Sequence, residues 1–202
     1  SIIKLRLVNQ NITDYEVYTD LNKNRVIVRF PWKEDETDFD PEKAVAELGE
    51  TALLTFREGY EVDNEGKPTG LTAEKIILTG SDVKKASVGV DEQNQYVVLL
   101  ELKESGVTAF SEATGRLAGT NTPISIWMDE NVISYPTVST QITDGSASIT
   151  GNFTLESATD LANKINGGAL PFKLETENFR SISATLGMGA KDAMVLAGAI
   201  AF

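Results

Sequence analysis

The 202 residues include neither histidine nor cysteine. That absence removes the Ser-His-Asp and Cys-His nucleophile systems, histidine-ligated zinc and thiolate chemistry in one step. No GxxxxGK[ST] sequence is present, and Gly187-Met188-Gly189 stops short of a dinucleotide fingerprint and follows no strand–helix pair. Carboxylates remain, with 30 Asp and Glu against 18 Lys and Arg. Two such acids astride a sugar would suffice for glycoside hydrolysis. Those clefts also need aromatic platforms, and the chain has only 2 Trp. The acidic run Glu34–Asp40 lacks the central glycine and closing glutamate of a calcium loop, and reads as a solvated loop feeding a helix. No pair of acids stands out, so we expect no enzyme, no cofactor and no metal site.

The net charge of −12 argues against nucleic acid and anionic lipid surfaces as partners, since both would repel the protein. At 41% hydrophobic and 24% charged residues the chain has the composition of one sizeable domain or two small ones. The missing cysteines lean toward an extracytoplasmic setting without disulfides. Nowhere is there a run of about 18 apolar residues, the length a spanning helix needs. Yet Ala193–Phe202 is apolar to the last residue, and we read 186–202 as the start of a truncated membrane helix.

The elements that would position any site follow from spacing and punctuation. Ser1–Gln10 is ambiguous between helix and strand. Tyr15–Tyr18 and Arg25–Phe30 read as paired strands around the polar turn Asp20–Asn24. Asp40 and Pro41 open a helix with Ala44, Val45 and Leu48 on its apolar stripe, ended by Gly49. Thr51–Arg57 reads as a strand, Asp63–Gly70 as a turn-rich linker, Ser81 as the cap of a short helix and Tyr96–Lys103 as a strand. Val107, Phe110, Thr114 and Leu117 mark a helix stopped by Gly119. Ile124, Ile126 and Met128 then alternate with polar neighbours and Trp127, as in a half-buried strand. A polar break at Asp129–Val132 and an extended run to Pro136 follow. Thr154 caps a last helix with Leu155, Ala158, Leu161, Ala162 and Ile165 at helical spacing, closed by Asn166-Gly167-Gly168. From Tyr96 to Glu175 the order is strand, helix, strand, strand, helix, strand, the split βαβ or ferredoxin-like order. The fold class expected is α+β with two ferredoxin-like subdomains, the N-terminal one lacking its first strand.

Several segments together carry a family resemblance: SYPTV (Ser134–Val138), ITDGSASITG (Ile142–Gly151), ESATDLANKINGGALP (Glu156–Pro171) and SATLG (Ser183–Gly187). With RVIVRFPW (Arg25–Trp32) and TALLTFRE (Thr51–Glu58) upstream, nearly the whole chain resembles SecD, the membrane subunit that assists export through the Sec channel. It departs from the family in carrying Pro31-Trp32 for Pro-Gly and Asp129-Glu130 for Asp-Gly. The resemblance implies an extracytoplasmic domain that binds emerging, unfolded preprotein and moves it late in export, driven by the proton-motive force. SecF and the SecYEG channel would be its partners, and the membrane would be reached through segments outside this fragment. Two other readings are a carboxylate-pair hydrolase of cell-envelope polysaccharide and a purely structural docking domain.

The resemblance also implies a base near the membrane and a mobile head. We expect the base at 1–68 plus 169–185 and the head at 69–168, with glycine-bearing hinges at Thr69, Gly70, Gly167 and Gly168. A two-residue turn at Glu130-Asn131 would set Trp127 opposite Ser134, on one face with Val132. Ile124, Ile126, Met128, Ile133 and Tyr135 would share the buried face. Trp127 and Val132 are the expected contacts for substrate polypeptide, beside a free strand edge; the plainer reading is that Trp127 packs beneath a helix or loop.

Overall fold

The computed structural model describes residues 2–31, 40–171 and 173–176. Helix α1 (Ile2–Asn9) leads into an antiparallel hairpin, β1 (Glu16–Asp20) and β2 (Arg25–Arg29), and then α2 (Pro41–Gly49). Asp40 caps α2 by accepting from the Glu42 and Lys43 amides, as its sequence indicates. Ile3, Leu7, Ile12, Ala44 and Leu48 form a small core here, joined by half-buried Val17, Val26, Val28, Leu170 and Leu174. We refer to this unit as the base.

A second, larger core begins at β3 (Leu54–Glu58) and runs to the end of α5 (Leu155–Gly167). Between them come α3 (Gly70–Glu74), β4 (Ile76–Thr79), β5 (Val83–Val90) and β6 (Tyr96–Leu102). Next follow α4 (Glu104–Leu117), β7 (Ile124–Met128), β8 (Asn131–Ser134) and β9 (Ser146–Phe153). The strands make two sheets, one ordered β4-β3-β7-β8 and one ordered β5-β6-β9. Phe110 of α4 meets Phe56 of β3 edge-on, with ring centroids 6.0 Å apart. Thr154 caps α5 through a reciprocal box with Ser157. This unit is the head.

Mixed α and β structure is as expected, but among the described residues the strands do not pair into the expected ferredoxin-like sheets. β6 and β9 lie in one sheet and β7 and β8 in the other, and residues 173–176 form no strand. β3 hydrogen-bonds to β4 and β7, which assigns it to the head and not to the base. The upstream boundary therefore falls near 51–53 and not at 69. The short turn at Gly80–Asp82 is capped by Thr79, not by Ser81. Strand β7 is buried on both faces. Its Ile124 and Ile126 enter the head core, while Ser125 donates to the Gly59 carbonyl at 2.6 Å and Trp127 lies under Tyr60. Residues 34–39 of the acidic run, SATLG and the apolar segment 186–202 lie outside the described residues.

Candidate functional site

Strand β8 ends one head sheet and β9 ends the other. An open groove of about 390 Å³ runs between them, lined by Ile133, Ser134, Tyr135 and Pro136 on one side and Thr150, Gly151 and Asn152 on the other. Each wall is thus the last strand of a sheet, whose outer backbone groups have no partner strand. Above the groove Tyr135, 55% exposed, stacks flat on Tyr60 with centroids 4.4 Å apart and planes 6° from parallel. Tyr60 in turn leans on Trp127 at 6.2 Å. The aromatic column therefore starts in the interior at Trp127 and surfaces at Tyr135.

That arrangement corrects the expected contact residues. Trp127 has no exposed surface, and its indole N–H is buried without a hydrogen-bond partner. Of the two readings of this residue, packing beneath a loop is the one the structure shows. The expected register also differs: Asp129 adopts φ 57°, so the turn is Asp129-Glu130, and Trp127 pairs with half-buried Val132 while Ile126 pairs with Ser134. A register shift between Ile126 and Trp127 accompanies this and puts Tyr135 against Tyr60 instead of with the buried isoleucines. Beside this groove the exposed aromatic surface belongs to Tyr60 and Tyr135.

The second concentration of polar geometry lies where the chain passes between base and head. Arg6, only 5% exposed, reaches from α1 into this junction. Its Nη1 donates to the carbonyls of Glu47, Leu48 and Glu50, and its Nη2 to those of Thr51 at 3.2 Å and Gly168 at 2.7 Å. Burial pulls this guanidinium below its ordinary pKa, and the carboxylates of Glu50 and Asp129 push it back up. From the head side, Asp129 accepts from the Thr51 hydroxyl at 2.6 Å and the Leu53 amide at 2.8 Å, and its own amide donates to the Leu53 carbonyl. Thr51 is the shared node, because its carbonyl also accepts from the Leu170 amide of the returning strand. Between Thr51 and Leu53, buried Ala52 takes the left-handed φ of 50°.

The expected hinge residues separate accordingly. Thr69 and Gly70 lie inside the head, between the paired strands β3 and β4, with the Thr69 and Leu71 amides held by Glu61. Gly167 and Gly168 do sit at a crossing: a Cβ on Gly167 would approach Arg6 to 2.8 Å, and Gly168 has φ 77°. Arg6 and Asp129 were not foreseen. The residues beside Arg6, Leu5 and Leu7, give no sign of it, because its acceptors are remote in sequence.

The alternative reading is a carboxylate-pair hydrolase. Such a site needs one carboxyl held above its ordinary pKa, whereas Asp82 and Asp144 are both held below it, Asp82 first by the Thr79 amide and Asp144 by the Ser146 hydroxyl. Glu58, the buried carboxylate, is paired with Arg116 at 2.7 Å. Among the described residues no three acidic side chains are grouped to hold a metal ion, and no helix is long and apolar enough to cross a membrane.

Comparison with known proteins gives this geometry its family. The chain is 37% identical to protein translocase subunit SecD of Acidaminococcus fermentans over 98% of its own length and 43% of that protein's. It is 32% identical to SecD of Dictyoglomus turgidum over 98% and 45%; it thus spans less than half the length of these relatives. Among solved structures, a SecDF described as a membrane component that enhances protein export superposes with TM-score 0.71 at 22% identity, covering 90% of both chains. SecDF in its super-membrane-facing form gives 0.71 at 21% identity, over 88% of this chain and 26% of that one. These likenesses speak to the fold. The family model for the SecDF P1 head subdomain matches residues 54–172, a span that contains the larger core and its two sheets. The family pattern and the relatives together leave one conclusion: this chain belongs to the SecD/SecDF family of protein translocase subunits.

Proposed function

We propose that this domain holds emerging, unfolded polypeptide on the extracytoplasmic side of the membrane late in protein export. The observation that carries the reading is the groove between β8 and β9, where two sheet ends face each other beneath the exposed Tyr60–Tyr135 stack. Backbone pairing at a sheet edge is indifferent to side-chain sequence, which suits a client of arbitrary composition. Stacked tyrosines add a rigid amphipathic contact with little entropy to lose. The head would turn on the base about Ala52 and Gly167-Gly168, with the proton-motive force acting through membrane segments beyond this chain, alongside SecF and the SecYEG channel.

A photoreactive phenylalanine analogue at Tyr135 of the full-length subunit tests this during export of a stalled secretory protein. Adducts at Tyr135 but not at exposed Leu21, in the β1–β2 turn of the base, are expected. Equal labelling at both positions, or none at Tyr135, removes the groove as the contact surface and favours a purely structural docking role.

A further inference from the structure

Arg6 does more than close a helix. Three of its five acceptors, the carbonyls of Glu47, Leu48 and Glu50, lie at the C-terminal end of α2, where a cation is a common cap. The other two, Thr51 and Gly168, lie on the two strands that cross between base and head. One guanidinium from the base thus grips the outgoing and the returning chain together. Asp129 grips the same outgoing segment from the opposite side, and it does so from the turn that leads into β8, whose Ile133 and Ser134 line the groove. Lys164 of α5 adds an ion pair to Glu50 at 2.7 Å beside the same crossing. Ala52 and Gly168, which take positive φ on the two crossings, both lie beside these hydrogen bonds.

We propose that Arg6 and Asp129 form a two-sided latch, meeting at Thr51, that sets the orientation of the head on the base and must open before the head can turn. Because Asp129 belongs to the β7–β8 turn, the latch links the groove wall mechanically to the crossing. Movement of that turn would loosen Thr51 and Leu53, and release of Arg6 would free both strands at once. The proposal concerns this chain alone. It stands or falls separately from polypeptide capture, since its test contains no client.

The chain lacks cysteine, so introduced pairs accept spin labels without background. Leu21→Cys in the base turn with Glu92→Cys in the head reports the base–head distance. Glu92→Cys with Glu112→Cys reports a distance within the head. Arg6→Lys keeps the charge but loses the fork, and Asp129→Gly keeps the left-handed turn but loses the carboxylate. Each should broaden the base–head distribution or add a second distance, with the head-internal distance unchanged. The double variant should move little beyond the larger single effect, because both act on Thr51. An unchanged base–head distribution in both single variants overturns the latch, as does broadening confined to Arg6→Lys, which would mark a helix cap alone. If Arg6→Lys also disturbs the head-internal distance, Thr51→Val decides. It removes one hydroxyl donor to Asp129, and an unaltered base–head distance in that variant overturns the proposal.

Discussion

Among the described residues the head gathers eighteen buried apolar side chains between two sheets and two helices, whereas the base gathers five around a single two-stranded hairpin. The head's central strand β7 is covered on both faces; β1 and β2 reach only partial burial. The base is instead tied together by one buried cation that satisfies backbone carbonyls directly. The contrast shows two ways of holding a shape. A large apolar core resists deformation everywhere, while a small core with a polar hub is rigid only while the hub is intact. If the two units turn on each other as proposed, the second design puts the compliance at the joint.

Substitutions can test that contrast directly. The largest effect is expected from Trp127→Ser, which empties the fully buried indole site and should cost about 3–5 kcal/mol in denaturant unfolding of the head. A loss below about 1 kcal/mol would mean that Tyr60 and its loop are not a true cover. Next comes Arg6→Met, which removes the donor shared by five carbonyls, of which Thr51 keeps the Leu170 amide and Glu47 the Glu50 amide, and should cost about 1–3 kcal/mol. The comparison predicts that hydrogen exchange rises in α1, α2 and the crossings while β6 and β7 stay protected. Uniform loss of protection would make the two units one cooperative body.

A pH experiment reaches the seam between the two head sheets. Asp82 is held below its ordinary pKa chiefly by the Thr79 amide, helped by the hydroxyls of Ser105 and Thr79. A depressed carboxylate contributes stability that is fully present above its unfolded pKa and is lost as pH falls through the folded one. Asp82→Asn keeps an acceptor for the Thr79 amide but loses the charge, so it should cost about 0.5–1 kcal/mol at neutral pH and flatten the decline in stability below about pH 4. Stability curves for both proteins between neutral and acid pH would show this, and parallel curves would refute it. An effect no larger is expected of Tyr135→Ser. Losing one exposed partner of a stack should cost about 0.5–1 kcal/mol, with thermal unfolding barely changed. Capture of polypeptide should fall much more, and full retention of crosslinking at a neighbouring groove position would separate the aromatic stack from function.

Local pattern carried much of the fold. The helices α2, α4 and α5 follow from their caps and apolar spacing, and the β1–β2 hairpin from its polar turn. Absent histidine and cysteine excluded whole reaction classes before any coordinates, and the motifs from Ser134 to Pro171 pointed to the family. These are properties of residues near one another in the chain, which periodicity and capping report directly.

What tertiary structure alone decided is who pairs with whom and what lies on top. The run Thr51–Arg57 reads as a strand in any context, yet only its partners β4 and β7 assign it to the head. Alternation in β7 marks two faces but not that both are covered, so Trp127 looked available when Tyr60, from a distant loop, already packs on it. The register of the β7–β8 turn rested on whether Asp129 or Glu130 opened it, and the tie from Asp129 to Thr51 and Leu53, more than seventy residues away, favours the observed choice. Arg6 is the plainest case. A lone arginine on a short helix is ordinary until the fold brings five carbonyls from three segments around it, because hydrogen-bond acceptors remote in sequence leave no trace in the residues beside the donor.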